Sequence, residues 1–310
     1  MGSLSTEPKD AARVVTLSAE ELKRGAYAPL SLIRALEALH QDGLVVLRGV
    51  IPVDHVDSLN TRMCKDAEVR LADNSQDFNH NVKYTELLYE DVYFNPFVLQ
   101  VGNAYLGHRP IWNWLTANTA VANTAGMRQP VHKDCAFEHP MFPYYFIANI
   151  PLCDFSETNG ATEFWLGSHA HTSWRDNDML TDLADTPGPF SRLNEPVPNV
   201  SAAARQARRL VRPPLQPSLR RGDIVIRDLR TWHAGMPNNS DQHRIMIGLG
   251  YQSPAHPNYT MRLHLPAAQR SFFLGSAPAN VDVRANVYSD EDLAALKIDT
   301  FFDLRPEYLE

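Results

Sequence analysis

Three places in the sequence set a histidine two residues before an aspartate: His40-Gln41-Asp42, His55-Val56-Asp57 and His132-Lys133-Asp134. Imidazole nitrogen and carboxylate oxygen together suit first-row divalent metals, so each pair could begin a metal site. The backbone decides which can finish one. Residues i and i+2 face the same side only on an extended strand; on a helix they diverge by about 200°. Apolar spacing puts the first pair at a helix C-terminus and the second inside a helix, and both read as solvated helical residues. His132-Lys133-Asp134 instead opens a half of the chain rich in short β-like runs. A third donor stands in Thr231-Trp232-His233-Ala234-Gly235, shortly after the strand-like Arg221-Gly222-Asp223-Ile224-Val225-Ile226.

His132, Asp134 and His233 are therefore the candidate catalytic and metal residues. Two imidazoles and one carboxylate on one face of an octahedron leave three positions free, the arrangement used by non-haem Fe(II) oxygenases. A bidentate 2-oxo acid followed by O2 would fill them. A 2-oxo acid with a second carboxylate also needs a fixed cation. Arg244, 244 − 233 = 11 residues after His233, begins a run that could return antiparallel to the strand carrying His233. Its guanidinium is always charged and can grip a carboxylate with two parallel hydrogen bonds, which a lysine cannot do. A cupin-type site would use more histidines and need no arginine here. A halogenase would carry Gly or Ala in place of Asp134. A non-catalytic jelly-roll binding protein would tolerate loss of a ligand, and none is lost.

With these residues in place, the sequence resembles the phytanoyl-CoA dioxygenase-like branch of the 2-oxoglutarate-dependent oxygenases, including its natural-product biosynthetic members. Gln129, three residues before His132, is similar to the family's co-substrate glutamine. Asn159-Gly160-Ala161-Thr162 followed by Gly167-Ser168-His169 resembles its Asn-Gly-x-Thr…Gly-Ser-His segment, with Thr162 as the threonine near the co-substrate. Asp42 to Gly49 is similar to the family's opening strand, and Gly222-Asp223…His233…Asn238…Arg244 to its C-terminal block. The likeness runs from about residue 30 to residue 255, departing at Leu166, where the family often has Pro, and at Trp232. It implies a mainly β fold with flanking helices around a double-stranded β-helix, or jelly-roll, core. It also implies Fe(II), with 2-oxoglutarate and O2 as co-substrates, and Gln129, Thr162 and Arg244 as the 2-oxoglutarate contacts. The implied reaction is hydroxylation, desaturation or a related C–H oxidation of a small organic molecule, a secondary metabolite first and an acyl-CoA second.

The elements that must position these side chains are readable in outline. Residues 1–110 look mainly helical: Ser18-Ala19-Glu20-Glu21 is a capping box, Ser31 a second cap, and Asn95-Pro96 a third helix start. From Ile111 the period changes to short aromatic and branched runs: 111–115, 144–150, 162–166, 223–226 and 244–251. Residues 111–260 then form the core, 261–310 an extension, and the whole chain one oxygenase domain. A Pro- and charge-rich stretch around 176–220 reads as a lid without strand character. Within it Arg205, Arg208, Arg209 and Arg212 share one helix face, either a solvated stripe or a basic surface for an anionic substrate. Trp112, Trp114, Asn118, Phe137, Phe146 and Trp165 are candidate pocket walls, Asp228 and Arg227 candidate supports for His233. His169 reads as a structural interior residue, His139 and His243 as surface or outer-sphere residues.

Composition bounds the partners. With 44% hydrophobic and 21% charged residues, the chain can bury a sizeable core. A net charge of −7 argues against nucleic acid as a partner. No apolar run approaches the roughly 18 residues of a membrane span. Cys64, Cys135 and Cys153 form no CxxC pair and suit reduced thiols, hence a cytoplasmic enzyme acting on a small molecule, with a homodimer left open.

Overall fold

Alternation along the strands sets where each core lies. The computed structural model describes residues 11–72, 79–80, 85–123, 128–135, 137, 139–179, 198–296 and 304–306. Strand β1 (Val14–Thr16) precedes helices α1 (Ala19–Arg24) and α2 (Pro29–Asp42); β2 (Leu44–Arg48) and α3 (Val53–Ala72) follow. Then come β3 (Asn79–His80), α4 (Glu90–Tyr93), α5 (Pro96–Tyr105) and β4 (Ile111–Ala120). The second half carries β5 (Tyr145–Pro151), β6 (Glu163–Phe164), β7 (Asn177–Met179), β8 (Pro198–Val200) and α6 (Ala202–Val211). After these run β9 (Ile224–Asp228), β10 (His233–Ala234) and β11 (Arg244–Gln252). The described chain closes with β12 (Leu263–Pro266), β13 (Asp282–Val283), β14 (Ala285–Tyr288) and α7 (Asp290–Ala295).

The major sheet runs β1-β2-β9-β5-β11-β4-β13, with β3 also paired to β4. Opposite it stands a minor sheet of β10 and β6, extended by single bridges from His132 to His233 and from Phe164 to Leu215. This is the expected jelly roll, two facing sheets rather than a closed barrel. One face of the major sheet packs on the helices. Ile245, Ile247, Leu249 and Tyr251 of β11 join Ala38, Leu39, Leu59 and Val98 in that core. Full burial of such side chains contributes about 1.5–3 kcal/mol each, which fixes the register against a one-residue slip. The other parity of the same strands, Arg244, Met246, Gly248 and Gly250, therefore points between the sheets, with Asn149 of β5 and Val225 and Arg227 of β9. Leu44, Val46, Val225, Phe155, Phe164 and Leu219 close the inter-sheet space at one end.

A bulge in β4 departs from this regularity. Gly250 pairs with Trp114 but Tyr251 pairs with Trp112, so Asn113 is the extra residue. It flips the parity: Trp112 packs on the helical side, whereas Trp114 joins the inter-sheet cluster with Tyr145, Ile147 and Phe137. A Cβ at Gly248 would lie 2.9 Å from the Trp114 ring, so the indole can rest there only against glycine.

Several expectations change. The capping box at Ser18 and Glu21 forms, and Asn95 Oδ1 accepts from the Phe97 and Val98 amides at 3.1 and 3.4 Å. Ser31 caps nothing at the helix start, because Pro29 with its fixed φ opens α2 two residues earlier. The N-terminal part is not purely helical, since β1 and β2 extend the major sheet. The 176–220 stretch has strand character after all: β7 pairs with β8, and Leu215 exchanges two backbone hydrogen bonds with Phe164 at 2.8 and 3.0 Å. Residues 180–197 of the expected lid lie outside the described residues.

Candidate metal centre and co-substrate pocket

His132 and His233 face each other across the minor sheet, each amide donating to the other's carbonyl at 2.9 and 2.8 Å. Their ring centroids are 4.2 Å apart. His132 Nδ1 sits 2.9 Å from the Pro130 carbonyl, and His233 Nδ1 3.1 Å from the Thr231 carbonyl. A carbonyl accepts only from a protonated nitrogen, so each contact assigns the proton to Nδ1 and leaves the Nε2 lone pair for a metal. Asp134 Oδ1 lies 3.6 Å from both Nε2 atoms. Donor atoms of His132, Asp134 and His233 all fall within 4.8 Å of one another, the one such group of metal-ligating side chains among the described residues. Separations above 3.5 Å are too long for hydrogen bonds, and a first-row ion about 2 Å from each donor would fit among them.

Electrostatics keep the donors in their binding forms. Burial pushes the His233 imidazole well below its usual range, and the Arg227 charge adds to this, so the ring is neutral at neutral pH. Burial raises the Asp134 carboxyl, but the neighbouring Arg227 guanidinium outweighs it and holds the group well below the ordinary carboxylate range. Lys133 points the other way, as strand alternation requires. It is fully buried, and its Nζ donates to Thr172 Oγ1 at 2.9 Å and to the Ser173 carbonyl. His139, expected near the surface, is buried beside it, 3.1 Å from Lys133 Nζ.

Arg244 opens β11 on the inter-sheet face, 2% exposed, with its guanidinium carbon 4.9 Å over the Phe155 ring. Its Nε and Nη1 are buried and, among the described residues, have no hydrogen-bond partner. Burial pulls its pKa down to about 10, so the cation persists at neutral pH. An unpaired buried guanidinium is costly, and a ligand carboxylate between the sheets would satisfy it. Phe155, Phe164 and Met246 share one cluster, and Phe164 stacks on His233 with centroids 6.4 Å apart, so this cluster joins Arg244 to the metal donors.

Gln129 lies against the strand of His233, its Oε1 accepting from the Gly235 amide at 2.8 Å. A Cβ on Gly235 would come 2.6 Å from that oxygen, so glycine is what lets the glutamine sit there. Thr162 is buried one residue before β6. Both belong to the minor-sheet side, while Arg244 stands on the major sheet. Two other nearby cations are engaged: Arg128 Nη2 donates to Glu163 at 2.6 Å, and Arg227 to Asp134.

Other assignments are corrected. Asp42 is not solvated: it is buried and paired with Arg13 at 3.1 Å and Arg212 at 2.6 Å. Trp112 and Phe146 belong to the helix-side core, and Trp165 packs on the far side of the minor sheet with Trp232. Asp228 and Arg230 form a buried two-pronged pair, both contacts 2.8 Å, in the turn leading to His233. Arg227 supports Asp134 rather than His233; the parity of β9 was the signal for it. Sequence reading also missed Leu304, which packs in the cluster of Trp114, Tyr145 and Phe137, with Arg305 5.5 Å over the Phe137 ring.

Comparison with known proteins agrees with this geometry. Residues 39–246 match the family model of phytanoyl-CoA dioxygenase. The iron/alpha-ketoglutarate-dependent dioxygenase ausO of Aspergillus calidoustus is 24% identical over 235 residues, covering 68% of this chain and 69% of its own. The epimerase SnoN, solved with Fe3+, alpha ketoglutarate and nogalamycin RO, is 19% identical with a TM-score of 0.51, over 85% of this chain and 98% of its own. A second SnoN structure gives 18% identity and a TM-score of 0.50 over 85% and 95%.

Proposed function

The chain belongs to the phytanoyl-CoA dioxygenase family and is an iron- and 2-oxoglutarate-dependent oxygenase, and on that premise we propose the residues that carry the reaction. His132, Asp134 and His233 hold Fe(II), Arg244 takes the distal carboxylate of 2-oxoglutarate, and Gln129 and Thr162 flank it. The carrying observation is the convergence of three donors from two distant stretches of chain, each imidazole presenting Nε2. Bound iron and 2-oxoglutarate supply the oxidising chemistry, in which O2 is consumed, the oxo acid becomes succinate and CO2, and a substrate C–H bond is oxidised. The protein's own residues do the rest. The carbonyls of Pro130 and Thr231 orient the imidazoles, and the buried guanidinium of Arg244 orients the oxo acid. Trp114, Tyr145 and Phe137 wall the adjacent space and keep water from it.

Those apolar walls, and relatives that include an enzyme solved with nogalamycin RO, favour a small, largely apolar secondary metabolite as substrate. A CoA ester would need exposed cations, but Arg208 donates to the Leu166 carbonyl, Arg212 to Asp42, and Arg209 lies over Trp165. We read the chain as a single oxygenase domain. Among the described residues no helix is long and apolar enough to cross a membrane, and three free thiols suit the cytoplasm. The test is succinate formation with Fe(II), 2-oxoglutarate and O2 across apolar polycyclic metabolites and acyl-CoA esters. Stimulation by the metabolites is expected; stimulation by acyl-CoA alone would overturn the substrate class.

A further inference from the structure

Two aspartate–arginine pairs lie on neighbouring residues of β9 and are built differently. Arg230 grips Asp228 with both arms, Nε to Oδ1 and Nη2 to Oδ2, each 2.8 Å, and Tyr105 Oη adds a third donor at 2.9 Å. Every acceptor of that carboxylate is spent inside the fold, as a structural pair requires. Arg227, on the opposite face of the strand, uses one nitrogen. Its Nη2 donates to Asp134 Oδ2, while Oδ1 is left facing His132 Nε2 and His233 Nε2, 3.6 Å from each. The arginine itself is held from behind: Nε donates to Asn149 Oδ1 at 3.2 Å, and the side chain is 7% exposed. Nη1 is buried and has no partner among the described residues. A pair optimised for stability would not leave half of each fork unused.

We propose that Arg227 is a positioning residue for the iron ligand Asp134, pinning one carboxylate oxygen so that only the other can bind metal. Left free, a carboxylate can offer both oxygens and occupy a further coordination position, one that the oxo acid or O2 requires. Asn149 completes the device by fixing the plane of the guanidinium. The chain of contacts runs Asn149, Arg227, Asp134 across β5 and β9 to the metal donors, and rests on the metal assignment proposed above.

The test is anaerobic Fe(II) binding, measured by chelator competition, together with the visible absorption band of the iron–2-oxoglutarate complex. Wild type, Arg227→Met, Arg227→Lys, Asn149→Ala and His233→Ala are compared, with folding checked by circular dichroism. Losing an outer-sphere partner of a ligand typically weakens metal binding about 10–100-fold, and that is expected for Arg227→Met. Arg227→Lys should recover part of the affinity, and Asn149→Ala should shift the band while binding iron. If Arg227→Met does not fold, Arg227→Lys and Asn149→Ala decide. Affinity within about threefold of wild type and an unmoved band in the folded variants would overturn the proposal. Failure of wild type to bind Fe(II), or undiminished binding by His233→Ala, would instead overturn the metal assignment itself.

Discussion

Helix α3 and the segment around His132 carry the same two residue types at the same spacing, with opposite outcomes. On α3, His55 turns to Asp91, with Nδ1 2.9 Å from Oδ2, and stacks on Tyr89 with centroids 3.9 Å apart. Asp57, about 200° further round, pairs instead with Arg221 at 2.8 Å. Around His132 the backbone is extended, so His132 and Asp134 share a face and Lys133 takes the other. The composition of a motif is therefore not its chemistry. Backbone period decides whether two donors can meet, and a third residue from another strand decides whether they make a site.

The largest effect should come from the extended segment. His132→Ala, Asp134→Ala and His233→Ala should each weaken Fe(II) binding by more than the about 100-fold typical of an outer-sphere loss, and abolish succinate formation. His55→Ala and His40→Ala should leave both unchanged; a folded His55→Ala protein without iron would break the comparison. Next in size is Arg244→Ala, which leaves a ligand carboxylate without its cation. Such losses cost about 2–5 kcal/mol, or about 30- to 3,000-fold in 2-oxoglutarate affinity, with Fe(II) binding retained. Arg244→Lys should fall between, because the charge survives and the planar fork does not. Calorimetric titration of 2-oxoglutarate into the iron-loaded protein reads both.

How much of this could be read in advance depended on range. Local signals held: the Ser18–Glu21 box, Asn95-Pro96, Ser201 opening α6, and the alternation of 244–251, which puts Arg244 on the inter-sheet face. Three-residue β1 was too short to show a period, and it exists because β2 offers an edge to pair with. The bulge at Asn113 left no signal that separates Trp112 from Trp114. The arginines of α6 looked like a surface stripe because their partners are remote: Asp42 is 170 residues from Arg212. With those arginines turned inward, Leu210 and Val211 are left 82% and 74% exposed.

That reversal gives a smaller prediction. Arg212→Ala leaves buried Asp42 with Arg13 alone and should destabilise the fold by about 1–3 kcal/mol in urea denaturation, without changing substrate kinetics. A substrate KM that rises with unaltered stability would return α6 to a substrate-binding role. The smallest effect lies furthest from the site. Glu21 is held down to about 2 by the backbone amides of Ser18 and Ala28, so its contribution is present above its ordinary value of 4.5 and lost as pH falls from there to 2. The stability gap between wild type and Glu21→Gln, about 1 kcal/mol at pH 6 as for a lost cap, should close over that window.

The most direct test of the account is anaerobic titration of Fe(II) into the wild-type protein and Asp134→Ala, each with 2-oxoglutarate present. The account requires one Fe(II) per chain in wild type and a visible band that appears only when 2-oxoglutarate is added. Asp134→Ala should show neither at the same concentrations. An identical band in folded Asp134→Ala protein would contradict it, and would mean that the iron is held by other residues.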